Sequence, residues 1–567
     1  MNSSNSSDFW KNVKQIGLNS KNNVLPPNID LNALNASFIQ NSSDDINDVN
    51  QIDDMIEINH FSLQCVDELT VGLTILEIKS KATGSDNIHP DFIKMILPFL
   101  IRPITHIFNT IIMTSTFPNA WKIAKIIPLP KTSATEYRPI AILPFLSKVF
   151  EKLISRQLRL HFSKNKLISN FQSGFQPRRS CITALVKVSD DIREGFDEGK
   201  IGIIGFLDFS KAFDCVKHSI LLKKLLNQFS VGITSCNLLR SYLGNRSQYI
   251  DANGQRSSRL LVPNGVPQGS ILGPLLFSVF INDIVNCFSK VNFHIYADDI
   301  QIYSMFYKSS LNTAVTTLNS ELSNVYQWSI KNKLTLNPSK SKAMLLGRSN
   351  ITGNVPMLYL GTDVLEYTEK MKNLGVYFTS KLDWKTHINY ITSRIYGALR
   401  GLSPASDFLS IDVKLKLVKS YIVPIILYGC ELFSNMTSDS HKRLKVAFNS
   451  CTRFIFGKKR HERISQYSKQ VLGCSIFTLI KYRTLLFLRN IVIDKEPEYL
   501  FCKLRFGRGS RTIPLIIPRH NYSVCSKQFM IFSIQIWNQI PLNIRYSSIL
   551  TFKTFIINLF EGNNSDF

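Results

Sequence analysis

The sequence predicts an α+β protein, and three observations carry that reading. Short apolar runs read as strands: Ile201–Leu207, "IGIIGFL", and the two arms of "FHIYADDIQIY" at residues 293–303. Val315, Leu318, Leu322, Val325 and Trp328 recur at spacings of three and four, which makes a helix lying on a sheet. Beyond about residue 385 the pattern turns mostly helical.

Taken in order, residues 1–65 are rich in Asn, Ser and Asp, with "LPPNIDLNALNASF" as a short ordered island in a polar N-terminal arm or linker that carries no catalytic pattern. Residues 66–200 alternate helix-like stretches ("HPDFIKMILPFLIRPITHIFNTII", "PFLSKVFEKLISRQL") with the short strand "KIIPLP", a mixed α/β layer. The strand Ile201–Leu207 then ends in Asp208 and passes through a turn into an amphipathic helix after His218. Gly265, Pro267, Gly269, Gly273 and Pro274 punctuate the loop before a helix built on Leu275, Leu276, Phe280 and Ile281. The hairpin, the helix 315–328 and a further strand follow. The final "IWNQIPLNIRYSSILTFKTFI" reads as a further small helical unit, and there is no internal repeat.

The chain has 567 residues, 44% of them hydrophobic and 11% aromatic, enough for several cored domains. Against 41 Asp+Glu stand 67 Lys+Arg, a net charge of +26, which points to a polyanionic partner, nucleic acid first and an acidic membrane surface second. Residues 1–60 are acidic, so the excess lies in the body; residues 441–470 alone hold nine Lys or Arg against Glu462. Ten cysteines without a CxxC pair or a zinc-spaced His imply reduced, intracellular thiols. The N-terminus lacks a signal peptide's apolar core. The longest apolar candidate span, "YIVPIILYGC" at 421–430, is far short of a membrane helix, so a soluble protein is expected.

Asp298 and Asp299 sit side by side at a hairpin tip. Two like charges about 4 Å apart repel by roughly 4 kcal/mol at an effective dielectric near 20, so a cation or water must offset them. A solvated turn is the bland reading. Asp208 ends a neighbouring strand about ninety residues earlier, and adjacent strands of one sheet can bring the acids together. That is the minimum needed to hold two Mg²⁺ ions, which take oxygen ligands and complete their shells with water and substrate phosphates. Such a pair can activate a 3′-hydroxyl and stabilise leaving pyrophosphate.

With these residues in view, "FLDFSKAFD", "GVPQGSILGPLLF", "YADD", "LNPSKSK" and "LGVYF" resemble the successive palm motifs of reverse transcriptases, in wording similar to the jockey-like group of non-LTR (LINE-type) retrotransposons. Upstream, "KATGSDNIHP", "KIIPLPK", "YRPIAILPFLSKVFEKLI" and "QSGFQPRRSCITAL" resemble that group's fingers motifs, and "FWKNVKQIGL", "SCTRFIFG" and "WNQIPLNIR" its flanking segments. The resemblance implies a right-hand polymerase: fingers over 66–200, a palm of antiparallel sheet packed on helices over 201–385, a helical thumb over 386–480 and a C-terminal helical segment over 481–567. The whole polymerase domain would span about 110–380.

Residue by residue, the resemblance implies that Asp208, Asp298 and Asp299 are metal ligands, Asp299 contributing less direct coordination. Lys340 would protonate departing pyrophosphate. Phe213 would be the steric gate against a 2′-hydroxyl, Gln268 and Gly269 would lie against the incoming nucleotide, and Lys131 and Arg138 would pair with its triphosphate. Leu374, Gly375 and Val376 match the primer grip. Phe206 and Phe209 match packing positions only. Arg178 and Arg179 contact template phosphates or form a solvated turn, and Tyr296 contacts the primer end or fills the strand beneath the acids. Asp214 is read as a turn cap and stays outside the catalytic set, and His218 and His294 as structural. Stretch 441–470 reads as a thumb along the duplex, or as an import signal through "GKKRHER".

The implied activity is RNA-directed DNA polymerisation with two Mg²⁺ ions, or Mn²⁺ in their place, acting on element RNA, a DNA primer or RNA–DNA hybrid, and dNTPs. No membrane partner is expected, and a nuclear location with a cytoplasmic ribonucleoprotein stage follows from the group. With about 65 residues ahead of the fingers, an endonuclease is expected from another chain, and no RNase H pattern is found. The competing reading is a catalytically inactive nucleic-acid-binding remnant of such an element.

Overall fold

The computed structural model describes residues 25, 29–39, 60–131, 136–252, 254–348, 355–434, 436–507, 514–522 and 528–562. Most of the arm read at 1–65, including "FWKNVKQIGL", lies outside them.

A six-stranded sheet forms the centre, in the order β10-β11-β9-β3-β8-β7. Its strands are β3 (Ile201–Leu207), β7 (Asn292–Tyr296), β8 (Asp299–Phe306), β9 (Lys342–Leu346), β10 (Leu358–Leu360) and β11 (Asp363–Tyr367). β3 lies between β8 and β9 and pairs antiparallel with both, Leu207 opposite Ile300 and Phe206 opposite Lys342. Side chains alternate across a strand, so β3 feeds two cores. Ile203 and Leu207 pack with the helices His218–Asn227, Gly273–Ile281 and Leu311–Lys331. Ile204 and Phe206 pack on the other face with the helix Cys181–Asp197 and the C-terminal helices. A sheet covered on both faces explains why β3 reads as a continuous apolar run.

A second sheet comprises β1 (Ile123–Pro130), β2 (Tyr137–Ile142), β4 (Arg246–Ala252), β5 (Gln255–Arg256) and β6 (Leu260–Val262). The β1–β2 hairpin sets Leu129 opposite Arg138 and so carries Lys131 and Arg138 at its turn end. The island in the N-terminal arm is a helix, Leu31–Ser37, capped by Asp30, whose carboxylate accepts from the Asn32 N–H (2.8 Å). It packs on β4.

The C-terminal helical segment packs into the core of the sheet's second face. Trp537, Phe529 and Ile534 share the core that holds Ile204, Phe206 and Tyr303. Asp190 on the helix Cys181–Asp197 accepts from the backbone N–H groups of Phe529 and Met530, both at 3.2 Å, and so caps the helix Phe529–Trp537. The run 465–494 is longer than the candidate span at 421–430, and by length and composition alone it could cross a membrane. Gly473, at φ +77°, ends its first helix at Leu472, and the second, Ile476–Asp494, buries Ile480, Leu485 and Leu488 in the protein core. The nine cysteines among the described residues are free.

Candidate functional site

Asp208 follows the last residue of β3, and its backbone is held at both ends. Its N–H donates to Ser341 Oγ (3.1 Å) and its carbonyl accepts from the Asn337 N–H (2.8 Å). β7 and β8 close at Tyr296 opposite Asp299, leaving Ala297 and Asp298 as a two-residue turn with Ala297 at φ +58°. A non-glycine residue there needs external support. Gln172 supplies it: its Oε1 accepts from the Ala297 N–H (2.9 Å) and its Nε2 donates to the Ala297 carbonyl (3.4 Å). Two residues on, a Cβ at Gly174 would stand 2.2 Å from Ala297 N, so only glycine lets this loop lie against the turn.

The three acids are crowded and unneutralised. Burial raises Asp208, with Lys340 and Lys131 opposing the shift. Burial and then the Asp208 charge raise Asp298. Asp299, exposed at its surface, is pushed up to about 7, first by desolvation in the crowded turn and then by Asp298 and Asp208. Nearby lysines pair elsewhere, Lys131 with Glu136 (3.2 Å) and Lys342 with Glu366 (2.6 Å). Among the described residues no salt bridge reaches the three acids, and no three His, Cys, Asp or Glu side chains could hold a metal ion as a group. An open acidic rim nevertheless suits Mg²⁺, which uses one or two carboxylates together with water and substrate phosphates.

Two cavities flank this rim. The first, about 480 Å³, is lined by Asp208 and Asp298, by the cations Lys131, Arg138 and Lys340, and by Phe213, Gln268 and Gly269. The second, about 360 Å³, is lined by Asp208, Asp299, Lys340 and Leu374. Asp208 and Lys340 thus face both, while Asp298 and Asp299 face one each.

The first cavity's walls are rigid for readable reasons. Phe213 stacks on Phe277, with centroids 4.1 Å apart and planes at 18°, and meets Phe175 edge-on at 5.9 Å. Gly269, at φ +124°, brings its chain so close to β2 that a Cβ would stand 2.4 Å from the Ala141 carbonyl oxygen, and the Gln268 carbonyl accepts from the Ala141 N–H at 2.7 Å. Asp214 is not the turn cap read from sequence: it lines the cavity and accepts from Gln268 Nε2 (2.8 Å). Burial pushes its carboxyl up to about 6.

Beside the second cavity, strands β12 (Lys370–Asn373) and β13 (Val376–Thr379) turn through Leu374 (φ +43°) and Gly375 (φ +88°). Two positive φ angles suit a tight hairpin turn. Tyr428, unnoticed in the sequence, braces it by donating from its hydroxyl to the Leu374 carbonyl (2.7 Å). Val376 is fully buried in the core.

Other expected residues stand apart from both cavities. Arg179 donates to the carbonyls of Ser169 (2.9 Å), Asn170 (3.1 Å) and Gln172 (2.7 Å), which engages its guanidinium in the fold. Arg178 lies 3.8 Å from the Asp494 carboxylate. Tyr296 is half-buried beneath the turn, and burial, then Cys181, raises its phenol. His294 is buried against Ser173 Oγ (2.9 Å). No sequence signal short of the distant contacts themselves singles out Gln172, whose partner lies 125 residues away.

Residues 129–378 match the family "Reverse transcriptase (RNA-dependent DNA polymerase)". The chain is 27% identical over 405 residues to the probable RNA-directed DNA polymerase from transposon BS of Drosophila melanogaster, covering 69% of this chain and 44% of that protein. It is 28% identical over 392 residues to the RNA-directed DNA polymerase from mobile element jockey of the same organism, covering 66% of this chain and 42% of that protein. The chain therefore spans less than half the length of these curated relatives. Telomerase from Candida albicans, solved with a fragment of telomeric RNA, aligns at a TM-score of 0.34 and 15% identity over 68% of this chain and 64% of that one, a likeness that carries no argument. Residues 129–378 form a reverse transcriptase domain, and the chain is related to the RNA-directed DNA polymerases of jockey-type non-LTR transposons.

Proposed function

We propose that the chain is an RNA-directed DNA polymerase that copies element RNA by adding dNTPs to a primer 3′-hydroxyl. The observation that carries this reading is the first cavity, lined together by acids, the four cations Lys131, Arg138, Lys211 and Lys340, an aromatic platform and the Gln268 loop. Asp208 and Asp298 would hold two Mg²⁺ ions, or Mn²⁺, with Asp299 in support. Bound there, the metals supply an acidified 3′-hydroxyl and charge neutralisation at the phosphates.

The chain's own residues do the rest. Arg138 and Lys131 bind the triphosphate, and Lys340 gives a proton to the departing pyrophosphate. The clamped Phe213 ring lies beneath the sugar and leaves no room for a 2′-hydroxyl. Gln268, fixed by Asp214, orients the nucleotide against the template base. The Leu374–Gly375 turn, braced by Tyr428, holds the primer end. The basic helical region after residue 438 grips the RNA–DNA hybrid; for six to ten phosphate contacts its affinity falls about 10³ to 10⁵-fold between 50 and 200 mM salt. A nuclear site of action belongs to the same proposal and rests on the resemblance to non-LTR elements.

The test is primer extension on an RNA template with Mg²⁺ and dNTPs, comparing the chain with Asp298→Ala. Extension by the first and loss of about 10³-fold or more in the second is expected, since removing a metal carboxylate forfeits several kcal/mol of transition-state stabilisation. Hybrid binding without extension by either protein would sink the enzyme reading.

A further inference from the structure

The N-terminal helix Leu31–Ser37 lies outside the matched family region, yet it reaches the nucleotide cavity. Its polar residues are anchors. Asn35 is fully buried: its Nδ2 donates to the Ser258 carbonyl (3.0 Å), and its Oδ1 accepts from Gln248 Nε2 (3.0 Å) on β4. Asn32 Oδ1 accepts from the Ser258 N–H (2.7 Å). At the helix's other end the Ser37 carbonyl accepts from Lys211 Nζ (2.8 Å), and Lys211 lies three residues beyond Asp208 and lines the first cavity. A surface arm has no need of a buried asparagine with a full set of partners, because burying an unmatched amide costs free energy.

These anchors place Phe38. Its ring is 8% exposed, packed in a small core with Ala124, Ile126, Ala141 and Ile250. It also lines both the first cavity and a smaller void of about 50 Å³ behind it. Arg246 lines that void too and carries a buried Nη2 with no hydrogen-bond partner. Phe38 therefore lines both the nucleotide cavity and a mostly apolar space large enough for a few waters.

We propose that Phe38 is a nucleotide-positioning residue: the N-terminal segment completes the dNTP pocket by supplying its back wall. This rests on the polymerase reading above. Without the ring, the dNTP pocket opens onto the Arg246 void, and the nucleotide loses apolar contact and a fixed boundary. The loss falls on binding of dNTP in ground and transition states alike, not on chemistry.

The experiment uses the full chain on an RNA template with a dideoxy-terminated primer, titrated with the matching dNTP in Mg²⁺, beside extension of an unblocked primer. Phe38→Ala is expected to weaken dNTP affinity about tenfold and to raise the dNTP KM with kcat nearly unchanged. Hybrid affinity should stay at the wild-type value. Phe38→Leu should recover most of the loss, and Asn35→Ala, which frees the helix from β4, should reproduce it. Unchanged dNTP affinity in Phe38→Ala, or equal losses for dNTP and hybrid, would overturn the proposal. If Phe38→Ala does not fold, Phe38→Leu decides: a wild-type melting temperature with weakened dNTP binding supports the wall, and wild-type dNTP binding refutes it. A wild-type chain that binds dNTP without extending a free primer overturns the polymerase reading alone.

Discussion

Two acidic clusters border the central sheet, one at the tip of the β7–β8 hairpin and one on the helix Cys181–Asp197, and their treatment differs. On the helix Cys181–Asp197, Asp191 pairs with Lys187 and Lys503 and accepts from the Tyr303 hydroxyl, while Glu194 takes Lys503 at 2.8 Å. Against the cost of burial, the Lys503 and Lys187 charges hold Asp191 below the ordinary carboxylate value. In the YADD turn the same residue type is crowded but unpaired, and Asp299 rises to about 7. A fold that neutralises one cluster with Lys187 of the same helix and Lys503 from the C-terminal region, and leaves the other bare, reserves the bare one for a ligand. Perturbed carboxylates in a cleft mark function more reliably than paired ones.

The largest expected effect breaks the two clusters apart. Asp298→Ala should abolish extension, by about 10³-fold or more, while leaving the melting temperature in metal-free buffer unchanged or higher, because it removes repulsion. Asp191→Ala should do the reverse. It takes from Lys187 and the Tyr303 hydroxyl their shared acceptor, leaves Lys503 with Glu194 alone, and should cost about 3–5 kcal/mol in denaturant unfolding, with extension retained at temperatures where the protein stays folded. Equal stability losses in both variants would dissolve the contrast.

A smaller effect is the pH dependence of the bare cluster. The folded-state value of Asp299 lies above its unfolded value of 3.8. The folded protein therefore holds a proton that the unfolded chain releases between about pH 4 and 7, and this group's contribution to stability falls as pH rises through that window. Bound Mg²⁺ offsets the repulsion only where the acids are ionised, so it should raise the melting temperature by several degrees at about pH 8 and by much less at about pH 5.5. Asp298→Asn combined with Asp299→Asn should flatten the difference; a Mg²⁺ response independent of pH would contradict the account. Extension should likewise weaken as pH drops below about 7.

The contrast also marks what a sequence can disclose. Adjacent acids between two apolar strands are conspicuous because the pattern is local and electrostatically costly. The apolar run of β3 and the spacing along 315–328 are local too. What escaped is held by distant partners. Asp214 looks like a turn cap until Gln268, 54 residues on, is seen to bond it. The polar island at 31–37 reads as an arm because Asn normally faces water; only its partners near residues 248 and 258 explain its burial. The C-terminal segment reads as a further helical unit, and its tie to the palm, Asp190 capping a helix 339 residues away, leaves no local mark. Composition carries no trace of such long-range satisfaction.

Lys131 falls between the two clusters. It lines the first cavity, as a triphosphate ligand must, yet its ammonium lies 3.2 Å from Glu136 across the turn end of the β1–β2 hairpin. If the logic of the bare acids extended to cations, Lys131 would be free. The pair is half-exposed, however, and exposed pairs contribute about 0–1 kcal/mol, so the arrangement orients the lysine without consuming it. Glu136→Gln should therefore lower the dNTP KM by no more than about fivefold, with kcat unchanged and Asp298→Ala still inactive. Steady-state extension at varied dNTP would show it. A larger gain would mean that Glu136 competes with phosphate as strongly as Asp191 competes for Lys503, and that the cations of this cavity, unlike its acids, are held in check until substrate arrives.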